Sequence, residues 1–130
     1  MVDKQIVEEW LQAAQKDLKI ATEDIDKRER FEDVGFHCQQ AAEKFLKAYI
    51  VAYELPFTKT HDLAVLLETC VKKDADFEKL RTQSRLLTPF YLGARYPDFA
   101  NGEFKMEKVK EALGFAEEIA KFVKQKLSHS

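Results

Sequence analysis

Apolar residues recur every three or four positions along much of the chain, which is the period of an amphipathic α-helix. The first such stripe predicts a helix of about 24 residues, roughly 36 Å long at 1.5 Å per residue. A second segment, from Phe31 to Ala52, has the same period but is apolar on more than one side. It is therefore predicted to lie at the centre of a bundle or to be shared with a second subunit.

Three further helices are predicted in the second half of the chain. Pro56 ends the second helix, because the residue before a proline is displaced from the α region. Thr60 is a candidate cap for a short third helix. A fourth helix runs from Phe77 to Tyr91, and a last helix follows from Met106 to Leu127. The pattern predicts an all-α fold, an up-and-down antiparallel bundle of four long helices and one short helix.

Composition supports this fold class. With 4 Gly and 3 Pro among 130 residues, the chain has too few turn residues for a β-sandwich or barrel. Its length predicts one domain, residues 1–130. No apolar stretch is long enough to span a membrane, and there is no signal-peptide pattern. Cys38 and Cys70 fall on predicted buried helix faces, as reduced cysteines often do. These features predict a cytoplasmic protein.

Charge is nearly balanced overall but unevenly distributed. The chain has 21 basic and 23 acidic side chains, which argues against nonspecific coating of nucleic acid. The segment 79–97 contains no acid and combines cations with aromatic rings: Lys79, Arg81, Arg85, Phe90, Tyr91, Arg95 and Tyr96. Guanidinium groups bind phosphates and aromatic rings stack on bases, so this segment favours contact with a nucleotide or single-stranded RNA. The alternative is an ordinary core with a solvated cationic face.

Motifs of metal and cofactor sites are absent from the sequence. There is no His-x-x-x-His or Cys-x-x-Cys spacing, and no glycine-rich phosphate loop, so neither a metal nor another cofactor is predicted. Two histidines remain as candidates for chemistry. His37 lies near the start of the second helix and His61 at the start of the third. The alternative interpretation of each is an imidazole bonded to backbone groups or water.

Four strings, in order along the chain, resemble the HEPN domain family. They are Gln15-Lys16-Asp17-Leu18 with Ala21, Phe36-His37-Cys38-Gln39-Gln40-Ala41-Ala42-Glu43-Lys44-Phe45-Leu46-Lys47-Ala48, Lys59-Thr60-His61-Asp62-Leu63, and Ala94-Arg95-Tyr96-Pro97-Asp98. The resemblance implies a bundle of four to five helices, frequent homodimerisation, and pairing with a minimal nucleotidyltransferase, often as a toxin–antitoxin pair. It also implies nucleotide binding or, in many members, metal-independent ribonuclease activity.

Ribonuclease members of the family share an arginine and a histidine near the start of the last helix, with four to six residues between them. Arg95 occupies the matching place, but Ala100, Asn101 and Gly102 stand where the histidine would fall. Without an imidazole there, no evident group activates the ribose 2′-OH by the family's route. The sequence therefore leaves open whether the protein is an enzyme.

The residues predict a dimeric protein that binds a nucleotide or RNA, and the resemblance implies a nucleotidyltransferase partner as well. The candidate residues for anion contact are Lys44, Lys47, His61, Arg95 and Tyr96. The alternative is a metal-independent endoribonuclease with an unconventional arginine and histidine set. His37 and Arg95 are its catalytic candidates, with His61 as a substitute for His37. A purely structural bundle is the third alternative.

Overall fold

A computed structural model describes residues 2–93 and 106–128, with only the backbone for residues 92 and 93, and its regular structure in those ranges is entirely helical. The α-helices are α1 (Lys4–Asp24), α2 (Phe31–Ala52), α3 (Leu63–Lys73), α4 (Arg81–Leu87), α5 (Pro89–Gly93) and α6 (Met106–Ser128). Two 3-10 turns, Arg28–Arg30 and Ala75–Leu80, precede α2 and α4. The predicted all-α bundle is confirmed.

Helix α2 lies at the centre of the bundle. It packs against α1, α3, α5 and α6, and fourteen of its 22 residues are buried, among them Phe45 and Leu46 with no exposed surface. Its apolar sides are thus covered within a single chain. This explains a helix that is apolar on more than one side, and it places the polar side chains of α2 between packed neighbours.

Local sequence determines where α3 begins. The Asp62 carboxylate accepts a hydrogen bond from the Ala64 N–H at 2.9 Å and caps α3. Thr60, the predicted cap, instead accepts from the Asp62 N–H at 3.0 Å and orders the turn before the helix. Asp62 is the cap because it is extended and directly precedes the first helical residue, Leu63, as a capping residue must. The two bonds hold the backbone beside His61.

The segment predicted as a single fourth helix is divided. A 3-10 turn leads into α4, and α5 begins at Pro89, which has no N–H with which to continue the hydrogen-bond ladder of α4. Phe90 of α5 packs directly over Gly35 of α2. A short α5 lying against α2 brings Tyr91 to the part of α2 that carries the polar side chains described next.

Candidate functional site

Two carboxylates, Asp17 on α1 and Glu43 on α2, are buried in the bundle. Asp17 lies on the core face of its helix, three residues after Ala14 and four before Ala21, both fully buried. Burying an unpaired carboxylate is costly, and such groups persist in proteins only with charged or hydrogen-bonding partners. The partners of these two acids define the candidate site.

Asp17 holds two basic side chains of α2. Its Oδ1 is 2.7 Å from His37 Nδ1, and its Oδ2 accepts from Lys44 Nζ at 2.6 Å. His37 and Lys44 are seven residues apart and share a helix face, so both reach the same carboxylate on α1. A carboxylate only accepts, so Nδ1 carries the proton and Nε2 faces away. We call these three residues the Asp17 triad.

Glu43 repeats the arrangement with different helices. Its Oε2 accepts from Lys47 Nζ at 2.9 Å, and its Oε1 is 2.9 Å from His61 Nδ1. The Gln39 amide donates to the same Oε1 at 3.3 Å and to the His61 carbonyl at 2.9 Å. Glu43, Lys47 and His61 form the Glu43 triad. In both triads a lysine neutralises the acid, and an imidazole is fixed through Nδ1 with Nε2 pointing away.

The basic groups of the triads differ in exposure. The Lys47 side chain is only 10% exposed, and its Nζ lies 5.8 Å from the ring centroid of Trp10 and 5.6 Å from that of Phe57. Lys44 is 28% exposed and His61 is 51% exposed. A ligand from solution therefore meets Lys44 and His61 more readily than Lys47, which acts on the site mainly by holding Glu43.

Aromatic rings connect the two imidazoles. His61 stacks on Tyr91 with centroids 4.0 Å apart and planes 15° apart. Tyr91 packs against Phe36 with ring centroids 5.8 Å apart, and Phe36 packs edge-on against His37 with ring centroids 5.7 Å apart. We call these four side chains the ring cluster. Oriented imidazoles beside an ammonium can bind an oxyanion and can accept or donate a proton at Nε2.

The predicted site residues fall into three groups. The two triads contain four of them: His37, Lys44, Lys47 and His61. Carboxylates bind the two imidazoles, whereas the alternative interpretation had them bonded to backbone groups or water. Arg95 and Tyr96 lie outside the described residues. Among the other cations of the segment 79–97, Arg81 pairs with Glu68 and Glu78 and so serves the fold.

The acids that organise the site were not singled out as functional residues from the sequence. The available signal was an acid on an apolar helix face, since Asp17 interrupts the buried stripe of α1.

Within the described ranges, no cluster of three or more His, Cys, Asp or Glu could hold a metal ion. The helices of those ranges also include none that is long and apolar enough to cross a membrane.

Comparison with known proteins identifies the family of the chain. The HEPN domain family matches residues 7–126. The crystal structure of TT1696 from Thermus thermophilus is similar, with a TM-score of 0.83 and 28% sequence identity over 92% of this chain and 97% of that chain. None of the curated proteins matches significantly. Since the family match spans nearly the whole chain and includes both triads, the chain belongs to the HEPN domain family.

Proposed function

We propose that the protein binds the phosphate groups of a nucleotide or single-stranded RNA at the two triads, as a homodimer that pairs with a minimal nucleotidyltransferase of the toxin–antitoxin kind. Membership of the HEPN family supports a nucleotide- or RNA-related function in general, and HEPN domains commonly dimerise. The proposed nucleotidyltransferase partner rests on the resemblance of the sequence to HEPN proteins. The choice of site rests on the triads.

One observation carries the assignment of the site: both acids are buried beneath the basic groups that they hold. The more exposed parts of the triads are the Lys44 ammonium and the His61 imidazole. An ammonium has three N–H donors, so its contact with Asp17 leaves capacity for phosphate oxygens. An imidazole held through Nδ1 becomes an Nε2–H donor to phosphate when it takes up a proton.

Replacing Lys44 tests phosphate binding. We expect Lys44→Met to weaken the binding of ADP and of a six-nucleotide single-stranded RNA roughly tenfold or more, because a hydrogen bond from a charged group contributes about 1.5–3 kcal/mol. Lys44→Arg keeps both the charge and a donor for Asp17 and should bind close to wild type. Isothermal titration calorimetry in low salt measures the affinities.

The matched control is Lys72→Met. Lys72 is an exposed lysine near the end of α3, whereas His61 lies just before the start of that helix. At a rise of 1.5 Å per residue, the helix separates the two by more than about 10 Å. Its replacement removes the same charge and should leave both affinities unchanged. Thermal melts show whether each variant is folded. Equal binding by wild type and a folded Lys44→Met variant would contradict the assignment, and equal losses in Lys44→Met and Lys72→Met would indicate nonspecific attraction only.

A second candidate function is metal-independent cleavage of RNA. The observation that favours it is the pairing of each histidine with a buried carboxylate, which fixes the orientation and the tautomer of the ring. One imidazole would take the proton of the ribose 2′-OH and the other would protonate the leaving 5′-oxygen. Arg95 stays a predicted phosphate contact in this candidate function.

The binding proposal predicts no appreciable cleavage of a generic single-stranded RNA in the presence of EDTA. The missing histidine at residues 100–102 should cost a factor of about 10²–10⁴ in rate. The assay follows an end-labelled RNA on a denaturing gel with wild type, His37→Ala and His61→Ala. Robust turnover that either substitution abolishes would establish the ribonuclease in place of a pure binding protein.

A further inference from the structure

The His61 ring is held in place on several sides. Tyr91 covers one face, with ring centroids 4.0 Å apart, and Glu43 binds Nδ1 at 2.9 Å. The Gln39 amide holds the backbone of the same residue, because it donates to the His61 carbonyl at 2.9 Å. Phe36 packs against Tyr91 in turn, at 5.8 Å, and supports the stack from α2. The ring therefore has a defined position although it belongs to the turn before α3.

In spite of these contacts, 51% of the His61 side chain is exposed. Tyr91 occupies one face of the ring and Glu43 its Nδ1 edge, so we assign the exposed part to the opposite face and the Nε2 edge. A flat ring that is already ordered and half open loses little conformational entropy when a second ring stacks on it. This feature distinguishes His61 from His37, whose side chain is 24% exposed.

We propose that a nucleobase stacks on the open face of His61 and extends the Tyr91–His61 pair into a column of three rings. This inference rests on the proposed function, because it assumes that the ligand carries a phosphate. It adds that the ligand is recognised by its base as well as by its phosphate. Every base has a π-face, so the site accepts all four bases, and purines bind more tightly because they overlap the imidazole more fully.

Paired ligands separate the contribution of the base from that of the phosphate. AMP, CMP and ribose 5-phosphate are titrated calorimetrically against wild type, His61→Ala and His61→Phe. In wild type we expect AMP to bind at least fivefold more tightly than ribose 5-phosphate, with CMP between them. His61→Ala should reduce this ratio to about one, whereas His61→Phe, which keeps a flat ring, should retain most of it.

A spectroscopic readout tests the stacking itself. AMP should move the NMR signal of the His61 Cε1 proton upfield through the ring current of adenine, and ribose 5-phosphate should not. Equal binding of AMP and ribose 5-phosphate by wild type overturns the stacking inference and leaves phosphate binding standing. Binding of neither ligand overturns both. An AMP preference that His61→Ala retains places the base elsewhere and overturns the assignment to His61.

Discussion

Burial determines the protonation state of both cysteine thiols. Cys38 and Cys70 have no exposed surface, and burial raises the pKa of each thiol to about 12. Cys70 Sγ also donates to the Leu46 carbonyl at 3.9 Å. The thiolate is the reactive form of cysteine, so neither residue is suited to be a nucleophile near neutral pH. Both are core residues, in agreement with their predicted positions.

The raised thiol pKa values predict a loss of stability at alkaline pH. The unfolded chain releases these protons near pH 9 and the folded chain only near pH 12, so the stabilisation is complete below pH 9 and is lost between those values. At pH 10.5 each thiol should cost about 2 kcal/mol of the free energy of unfolding. Urea unfolding at pH 8 and 10.5 measures the change.

The control is the double variant with alanine at residues 38 and 70, which has no thiol to titrate. Its free energy of unfolding should fall less between pH 8 and 10.5 than that of wild type, although it starts lower because two core side chains are smaller. The same fall in both proteins would show that groups other than the thiols cause the alkaline loss.

The candidate site could be predicted only in part because its contacts join distant residues. Lys44 and His61 stand out in the sequence as basic residues in a HEPN-like string or at a helix start. Their acids do not, because Lys44 and Asp17 are 27 residues apart and meet across two helices. Spacing along one helix identifies which residues share a face, but it does not identify what the neighbouring helix places opposite them. Arg95 and Tyr96 stay predictions.

The contact between α5 and α2 depends on a glycine. A Cβ atom built on Gly35 would lie 2.3 Å from a carbon of the Phe90 ring, far inside van der Waals contact. Gly114, in the middle of α6, is the opposite case, since a Cβ there meets nothing within 4 Å. Both glycines are helical, so the same substitution to alanine isolates the effect of packing from that of helix propensity.

We expect Gly114→Ala to stabilise the protein by about 0.5–1 kcal/mol, the usual gain from replacing a helical glycine. Gly35→Ala should instead destabilise it by about 1–3 kcal/mol, because the Phe90 ring must move to make room. Urea unfolding followed by circular dichroism gives both values. Since Tyr91 adjoins Phe90 on α5, Gly35→Ala should also weaken AMP binding. A stabilising Gly35→Ala would show that α5 moves aside at no cost.

Helix periodicity predicted the long helices well and the connecting ones less well. The predicted stripes match α1, α2 and α6, because long amphipathic segments repeat the signal over several turns. The segment after Asp74 contains the same kind of stripe, yet Pro89 divides it. A shared face is a necessary feature of one helix but not a sufficient one, since a proline interrupts the backbone without changing the apolar pattern.

Burial of α2 within one chain bears on how two copies can associate. The apolar character of α2 suggested a shared helix, but its sides are covered by α1, α3, α5 and α6 of the same chain. Most of α2 is therefore covered within the chain, which favours its neighbour α1 for the contact between two copies. Helix α1, which neighbours α2, exposes Ile6 one turn before Trp10, and the exposed Phe57 ring lies 6.0 Å from the Trp10 ring. Exposed apolar side chains gathered in this way are typical of protein interfaces.

We expect a twofold homodimer with this apolar surface at its interface, and light scattering at tens of micromolar protein should give about twice the chain mass of 15.1 kDa. Ile6→Glu should shift the mass toward one chain, because two copies of the new charge would be buried at the twofold contact. Val65→Glu changes an exposed apolar residue of α3 and serves as the control, with no change in mass. A wild-type mass near one chain would contradict the dimer, and an unshifted Ile6→Glu mass would contradict this interface.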